Sequence, residues 1–233
     1  MRTRLVVTWL WASGSLLMGA GELAAQSTAS AGAAAQVDPT NLELVGNRFP
    51  PLKWSQLNEQ QKTMMRHVLD GPRTAPNGPF NVMLRAPVMG DFAQELGAQV
   101  RFNSSLRAPL REMAILMAAR HWTAHYEWNA HKTAALTAGL NPDIVAAIAA
   151  GERPKAMQPN EAALHRFCSE LLETTRVGDD TFAAMKAAFG EQGMTEVIFT
   201  LGYYSTVSML LNVDEYPLPD GVQPELKPLT HAH

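Results

Sequence analysis

The 233-residue sequence is poor in cysteine and in positive charge. Cys168 is its only cysteine, which excludes an internal disulfide and any two-thiol redox chemistry within one chain. Lysine and arginine number 19 against 22 aspartates and glutamates, and no basic run is present, which argues against a nucleic-acid partner. No segment alternates apolar and polar residues with period two, so the sequence predicts an all-α fold rather than a β-sheet.

The N-terminus has the composition of an export signal. Arg2 and Arg4 precede an apolar run over residues 5–20 that glycine and serine interrupt, and small residues follow. That order predicts a secretory signal peptide over residues 1–25, with a retained membrane anchor as the alternative. This apolar run is too short, and too often interrupted by glycine and serine, for a good membrane-spanning helix. We therefore expect an exported protein, periplasmic or secreted, with no membrane contact after cleavage.

The remaining chain is long enough for one domain with a sizeable core. Residues 26–45 are small and polar and predict a flexible leader. The domain is expected over residues 46–216, and Pro217 begins a C-terminal tail over residues 217–233. Caps, stops and apolar periodicity predict helices over residues 59–69, 80–85, 88–100, within 107–140, 143–150, from Asn160 as cap, 181–189 and 195–211. In the third of these, spacing four predicts a buried stripe of Phe92, Leu96 and Val100.

The stretch over residues 107–140 concentrates ionisable groups, including three of the seven histidines, in a helical pattern rich in alanine and methionine. Such groups are costly to bury unless they are paired or used. Glu127 and His131 are four residues apart and share one helix face. A carboxylate beside an imidazole orients the ring and raises its pKa, which prepares it for proton transfer. The alternative is an exposed helix pair of small energetic value.

Glu112 is too far from Glu127 to share a site on one straight helix, since the separation would be about 22 Å. The two carboxylates could meet only if the chain turned between them, for which Thr123 is the expected place. Otherwise Glu112 is most simply the partner of a nearby arginine.

Several other side chains allow both a functional and a structural interpretation. His121 and His125 have a spacing that metal sites use, but no HExxH pattern accompanies them and we expect no metal. Arg85 could bind an anion or cap a helix. Cys168 lies on an apolar stripe and is expected to be an inert buried thiol. Tyr204 could contribute a phenol to a pocket, or it could belong to the core.

Three sequence features together resemble the carboxymuconolactone decarboxylase family: Arg111-Glu112, the run Tyr126-Glu127-Trp128-x-x-His131 and the Ala138-Gly139 helix stop. That family shares an all-α fold with the AhpD-like alkylhydroperoxidases. Their redox branch carries a glutamate, then Cys-x-x-Cys, then a histidine four residues after the second cysteine. Here the matching positions are Glu112, Ala124, Glu127 and His131, so the resemblance is to a branch that lacks the thiols.

The resemblance implies a single AhpD-like helical domain in which the helix with Glu112 packs against the helix with His131. It also implies a homo-oligomer, a trimer or a hexamer. We expect a cofactor-independent lyase acting on a small organic acid or lactone, with His131, Glu127 and Glu112 as the catalytic groups. The candidates for substrate binding are Arg107, Tyr126, Trp128 and Tyr204. A peroxidase-like redox protein and a non-enzymatic binding module are the alternatives.

Overall fold

A computed structural model of the protein describes residues 39–73 and 75–229. The predicted signal peptide over residues 1–25 lies outside the described residues, as do residues 26–38 of the predicted leader, and both stay predictions. Within the described ranges, none of the helices is long and apolar enough to cross a lipid bilayer.

The described part of the chain is built from eight α-helices and contains no strand, which confirms the predicted all-α class. The helices are α1 (Glu59–Asp70), α2 (Phe80–Met83), α3 (Pro87–Phe102), α4 (Ala108–His121), α5 (His125–Thr137), α6 (Pro142–Ala150), α7 (Pro159–Ser169) and α8 (Asp179–Asp214). Short 3-10 turns at Pro39–Asn41 and Trp54–Gln56 precede α1, and a π-helical turn at Glu170–Thr174 follows α7.

Helix α4 is the centre of the core. A proline in its first turn starts the helix, and the side chains that follow are buried on every face from Leu110 to Arg120 except that of Arg111. A helix buried all round must be covered on all sides, and α4 packs against α5, α6, α7 and α8. Two charged residues of α4, Glu112 and Arg120, are therefore buried with the apolar ones.

The chain turns between α4 and α5 at Thr123, where the sequence placed the only turn that could bring the two carboxylates together. Thr123 adopts a left-handed conformation with φ 47°, which is unfavourable for a β-branched residue. Three hydrogen bonds hold the turn: Thr123 N–H to Arg120 O (3.0 Å), Ala124 N–H to Ala119 O (2.9 Å) and Arg120 Nη1 to Thr123 Oγ1 (3.2 Å). The turn allows α5 to pack against α4.

The stripe predicted on α3 is wrong at Phe92 and confirmed at Val100, which is buried, while Leu96 is partly buried against the core. Phe92 is 71% exposed, whereas the buried positions of the helix are Gly90, Gln94, Gly97 and Val100. A Cβ at Gly90 would collide with the Met83 carbonyl, and a Cβ at Gly97 would collide with the Tyr203 ring. The small face of α3, rather than its large apolar face, is therefore the one that approaches the core.

Some helix ends also differ from the prediction. The N-cap of α7 is Gln158 rather than Asn160, and its backbone N–H donates to Glu161 Oε2 at 2.7 Å. Helix α2 ends at Met83, two residues early. The sequence correctly predicted two helices within α8, because α8 is divided by Gly190, a non-helical residue with φ 67°.

The packed structure extends beyond both predicted boundaries of the domain. Leu42 and Leu44, which fall within the predicted leader, are buried in the core. Within the predicted tail, Leu226 is buried and Glu225 accepts hydrogen bonds from Trp128 Nε1 at 3.0 Å and Lys132 Nζ at 2.7 Å. Only single leucines and one acidic residue hold these segments against the helices. Isolated residues form no periodic pattern, so the sequence did not predict the contacts.

Candidate functional site

His131 lies between two carboxylates that come from different helices. Its Nδ1 is 2.7 Å from Glu112 Oε2 on α4, and its Nε2 is 3.0 Å from Glu127 Oε1 on α5. All three side chains are buried, with 5–6% of their surface exposed. When the imidazole is protonated both ring nitrogens are donors, so each carboxylate can accept one hydrogen bond from the ring. The packing of α5 against α4 thus brings Glu112, Glu127 and His131 into one cluster.

The two carboxylates control the charge of the ring. Burial by itself lowers the pKa of His131, because it disfavours the charged form. The charges of Glu127 and Glu112 and the hydrogen bonds that the ring donates to them act in the opposite direction, and together they raise the pKa of His131 to about 9. The site therefore holds an imidazolium at neutral pH, with a stored proton between two carboxylates.

Two tyrosines of α8 cover the histidine. The Tyr204 ring meets the His131 ring edge-to-face, with centroids 4.9 Å apart, and Tyr203 packs on Tyr204 in the same way at 5.1 Å. Burial is the main cause that raises the pKa of both phenols. They stay neutral at physiological pH, so they can donate a hydrogen bond but cannot act as anions.

A cavity of about 420 Å³ opens beside this cluster, between α5, α8, the end of α3 and the loop that leads into α2. Glu127 and His131 line it, whereas Glu112 is not part of the lining. Its other walls include Arg73, Phe80, Arg101, Phe102, Tyr126, Tyr203 and Tyr204. The cavity has room for a small organic molecule, and a molecule bound there would meet Glu127 and His131 but not Glu112.

Of the four predicted substrate-binding residues, two line the cavity and two do not. Tyr126 and Tyr204 are part of its wall. Trp128 is 1% exposed and donates its indole N–H to Glu225, so it fastens the C-terminal segment to α5. Arg107 is the exposed N-cap of α4 and does not line the cavity. Neither residue lies at this cavity, because sequence proximity to the catalytic candidates does not fix the direction in which a side chain points.

Arg73 and Arg101 line the cavity but did not stand out in the sequence. Arg73 lies in an irregular loop and Arg101 at the end of α3, far along the chain from His131. No local spacing connects them with the histidine. The arginines could have been found only by knowing that the loop before α2 lies beside α5. That is a tertiary contact, which no local sequence pattern shows.

His121 and His125 do not form a metal site. The turn at Thr123 separates them, since His121 ends α4 and His125 begins α5, so their four-residue spacing is not one helical turn. In the part of the chain that the structure describes, the group that could hold a metal ion is His67, Asp91 and Glu95 on α1 and α3. That group is remote in sequence from the histidine cluster and mostly exposed.

Arg85 and Cys168 have structural roles. Arg85 Nη2 donates to the Pro50 carbonyl at 2.5 Å, and its guanidinium lies 5.9 Å from the Phe49 ring centroid. Cys168 is fully buried, and burial raises the pKa of its thiol well above the ordinary value. A thiol in that state is not a nucleophile at neutral pH.

Comparison with solved structures identifies the fold. The chain is similar to a protein of unknown function from Agrobacterium tumefaciens that is described as a candidate antioxidant defence protein, AhpD. The TM-score is 0.53 and the sequence identity 14%, over 60% of this chain and 96% of the other. The fold is AhpD-like. No protein-family model matches the sequence, and no curated protein matches it. At this identity the likeness extends to the arrangement of the helices and not to the chemistry of the site.

Proposed function

We propose that the protein is a cofactor-independent lyase of the carboxymuconolactone decarboxylase type, acting on a small organic acid or lactone by acid–base catalysis. The observation that carries this proposal is the buried His131, held between Glu112 and Glu127 at the wall of a small cavity. Maintaining a charge in such a place is expensive, and clusters of this kind are concentrated at catalytic sites.

The geometry suits a proton donor. When a carboxyl group leaves as carbon dioxide, its bonding electron pair stays on the substrate carbon, and that carbon then takes a proton. The proton would come from His131, either directly or by way of Glu127, which contacts Nε2 at 3.0 Å and also lines the cavity. Glu112 would hold the ring through Nδ1 and stabilise its charge. The neutral imidazole would then recover a proton from water.

An AhpD-like fold also raises the possibility of peroxide reduction, which the chemistry of this chain disfavours. That reaction needs an accessible thiolate and a resolving thiol. The sequence has one cysteine, and Cys168 is fully buried with a raised pKa. A Cys168→Ala variant that lost peroxide consumption would revive the redox alternative.

The test is turnover of a panel of small unsaturated carboxylic acids and lactones, followed by carbon dioxide release and ultraviolet absorbance. We expect at least one compound to be consumed by the wild type, and His131→Gln and Glu127→Gln to lose about 100-fold or more of that activity. Glu191→Gln is the matched control, because Glu191 is 76% exposed in an ion pair with Lys186. If His131→Gln turned over every substrate normally, the lyase proposal would be wrong and a binding module would be favoured.

We further propose that the mature protein is exported and assembles as a trimer or a hexamer around its small-molecule sites. The assembly is supported by large apolar side chains that α3 and α8 leave exposed: Met89 at 75%, Phe92 at 71% and Phe199 at 53%. Sedimentation of the purified protein tests the assembly, and a monomer would contradict it. Cell fractionation with the full N-terminus tests the export.

A further inference from the structure

Two arginines face the cavity without a carboxylate partner. Among the described residues, neither Arg73 nor Arg101 belongs to an ion pair. Arg73 Nη2 donates to the Gln94 carbonyl at 3.2 Å, but its Nη1 is buried and has no hydrogen-bond partner. A buried guanidinium nitrogen is costly unless a hydrogen-bond acceptor meets it, so an acceptor placed in the cavity would be favoured there.

Aromatic rings hold both guanidinium groups in place without neutralising them. Arg73 lies 5.3 Å from the Phe80 ring centroid and 5.9 Å from that of Phe102. Arg101 lies 5.3 Å from the same Phe102 ring. A ring attracts a cation through its quadrupole but leaves the N–H donors free. The partly buried Arg73 and the exposed Arg101 thus lie against one ring at the cavity wall, with donors left for an anion.

The carboxylate of Glu127 contacts His131 rather than either arginine, so it leaves the guanidinium donors free. The phenols nearby do not offset the charges of the arginines. Burial raises the pKa of Tyr203 and of Tyr126, while the charge of Arg73 on Tyr203 and of Arg101 on Tyr126 opposes that rise only in part. The cavity therefore has a proton-transfer end at Glu127 and His131 and a cationic end at Arg73 and Arg101.

We infer that the Arg73–Arg101 end of the cavity is a carboxylate-binding subsite, which makes the ligand a small, flat organic anion rather than a neutral lactone. A carboxylate fits a guanidinium with two parallel hydrogen bonds and would satisfy the free Nη1 of Arg73. The rings of Phe80, Phe102 and Tyr126 provide flat walls for an unsaturated or aromatic body. This subsite rests on the proposed function only for the reaction that follows at His131.

Direct binding tests the subsite without any need for turnover. Benzoate and fumarate are the anionic probes, and benzamide is the neutral counterpart of benzoate, each titrated into the full protein by calorimetry. We expect benzoate or fumarate to bind the wild type and benzamide to bind far more weakly. Arg73→Gln should weaken binding of the carboxylate about tenfold to hundredfold, and Arg73→Lys should restore only part of it.

The matched control is Arg66→Gln. Arg66 also lies over an aromatic ring, 5.6 Å from that of Trp54, but it is not part of the cavity wall. Its substitution should leave binding unchanged, and circular dichroism should show that every variant is folded. If neither carboxylate binds the wild type, or if Arg73→Gln binds both as tightly as the wild type does, the subsite is wrong.

The subsite and the proposed function can fail separately. Titration of the wild type and Arg73→Gln measures the subsite without turnover, whereas the loss of turnover in His131→Gln measures the proposed reaction. Acids that bind through Arg73 but are never consumed would leave the subsite in place and remove the lyase proposal. If the wild type turned over an acid and Arg73→Gln left the KM unchanged, the lyase proposal would stand and the subsite would be wrong.

Discussion

Among the described residues, His67 and His131 both contact acidic side chains, but the surroundings of the two histidines differ. His67 Nδ1 on α1 is 2.8 Å from Asp91 Oδ2 on α3, and 48% of the histidine side chain is exposed. His131 is 5% exposed and has a carboxylate on each ring nitrogen. Only the buried contact adjoins the candidate active-site cavity. The comparison shows that the buried histidine differs from the surface one by a second carboxylate and by the exclusion of water.

The energetic meaning of the two contacts differs accordingly. Water screens the His67–Asp91 contact, and exposed pairs contribute about 0–1 kcal/mol. The His131 cluster had to lose its hydration on folding, so its three charges depend on one another for compensation. Four experiments can break or sharpen this contrast.

Removing the buried ring should have the largest effect. His131→Gln leaves Glu112 and Glu127 close together in the interior without a cation, and we expect the free energy of unfolding to fall by about 3–5 kcal/mol. Chemical denaturation measures this change. Under the same conditions His67→Gln should lower it by about 1 kcal/mol or less. Equal losses in the two variants would mean that burial does not distinguish the contacts.

The pH dependence of stability should come next in size. The pKa of His131 rises from an ordinary 6.5 to about 9 in the folded protein. The stabilisation from its proton is therefore fully present below pH 6.5 and is lost as the pH rises through 9. We expect the free energy of unfolding to fall by about 3 kcal/mol across that window.

Denaturation at pH 6.5 and pH 9.5 measures this loss, and Glu191→Gln should retain it in full. The buried phenols of Tyr203 and Tyr204 have raised pKa values and should not contribute in this range. A stability that does not change between the two pH values would show that His131 is neutral in the folded protein.

A change on the small face of α3 should have an intermediate effect. In Gly97→Ala the new Cβ would collide with the Tyr203 ring, which must move at the wall of the cavity. We expect a loss of about 1–3 kcal/mol in stability, together with weaker ligand binding. Gly202→Ala on α8 is the matched control, since nothing lies within 4 Å of its new Cβ, and it should be stabilising by about 1 kcal/mol. A stable Gly97→Ala variant with normal binding would mean that Tyr203 does not shape the cavity.

The smallest effect is expected at the surface pair. Asp91→Asn removes the charge that contacts His67 but leaves a side chain of the same size that can still form hydrogen bonds. The free energy of unfolding should fall by no more than about 1 kcal/mol, and by less in 0.5 M salt than in 0.05 M salt. If the free energy of unfolding fell by much more and did not respond to salt, the His67–Asp91 contact would behave like a buried ion pair that joins α1 to α3.

Sequence reasoning reached the catalytic candidates but not the rest of the cavity. Glu127 and His131 could be paired because they lie four residues apart on one helix, and the resemblance to a known family brought Glu112 to them. Trp128 was assigned to the cavity although its indole binds Glu225 elsewhere. Arg73 and Arg101 were missed because nothing in their local sequence separates a cavity arginine from a surface one.

The amino-acid sequence by itself determined the helical class, most helix positions and the contact between Glu127 and His131, because these depend on periodicity, caps and spacing over a few residues. The tertiary structure alone decided which face of α3 is buried, which arginines reach the cavity and whether His131 is shielded from water. Those properties arise where segments far apart in the chain pack together. The free energy of a charge depends on everything that surrounds it, so the proton of His131 could be assigned only after α4, α5 and α8 had been placed around the ring.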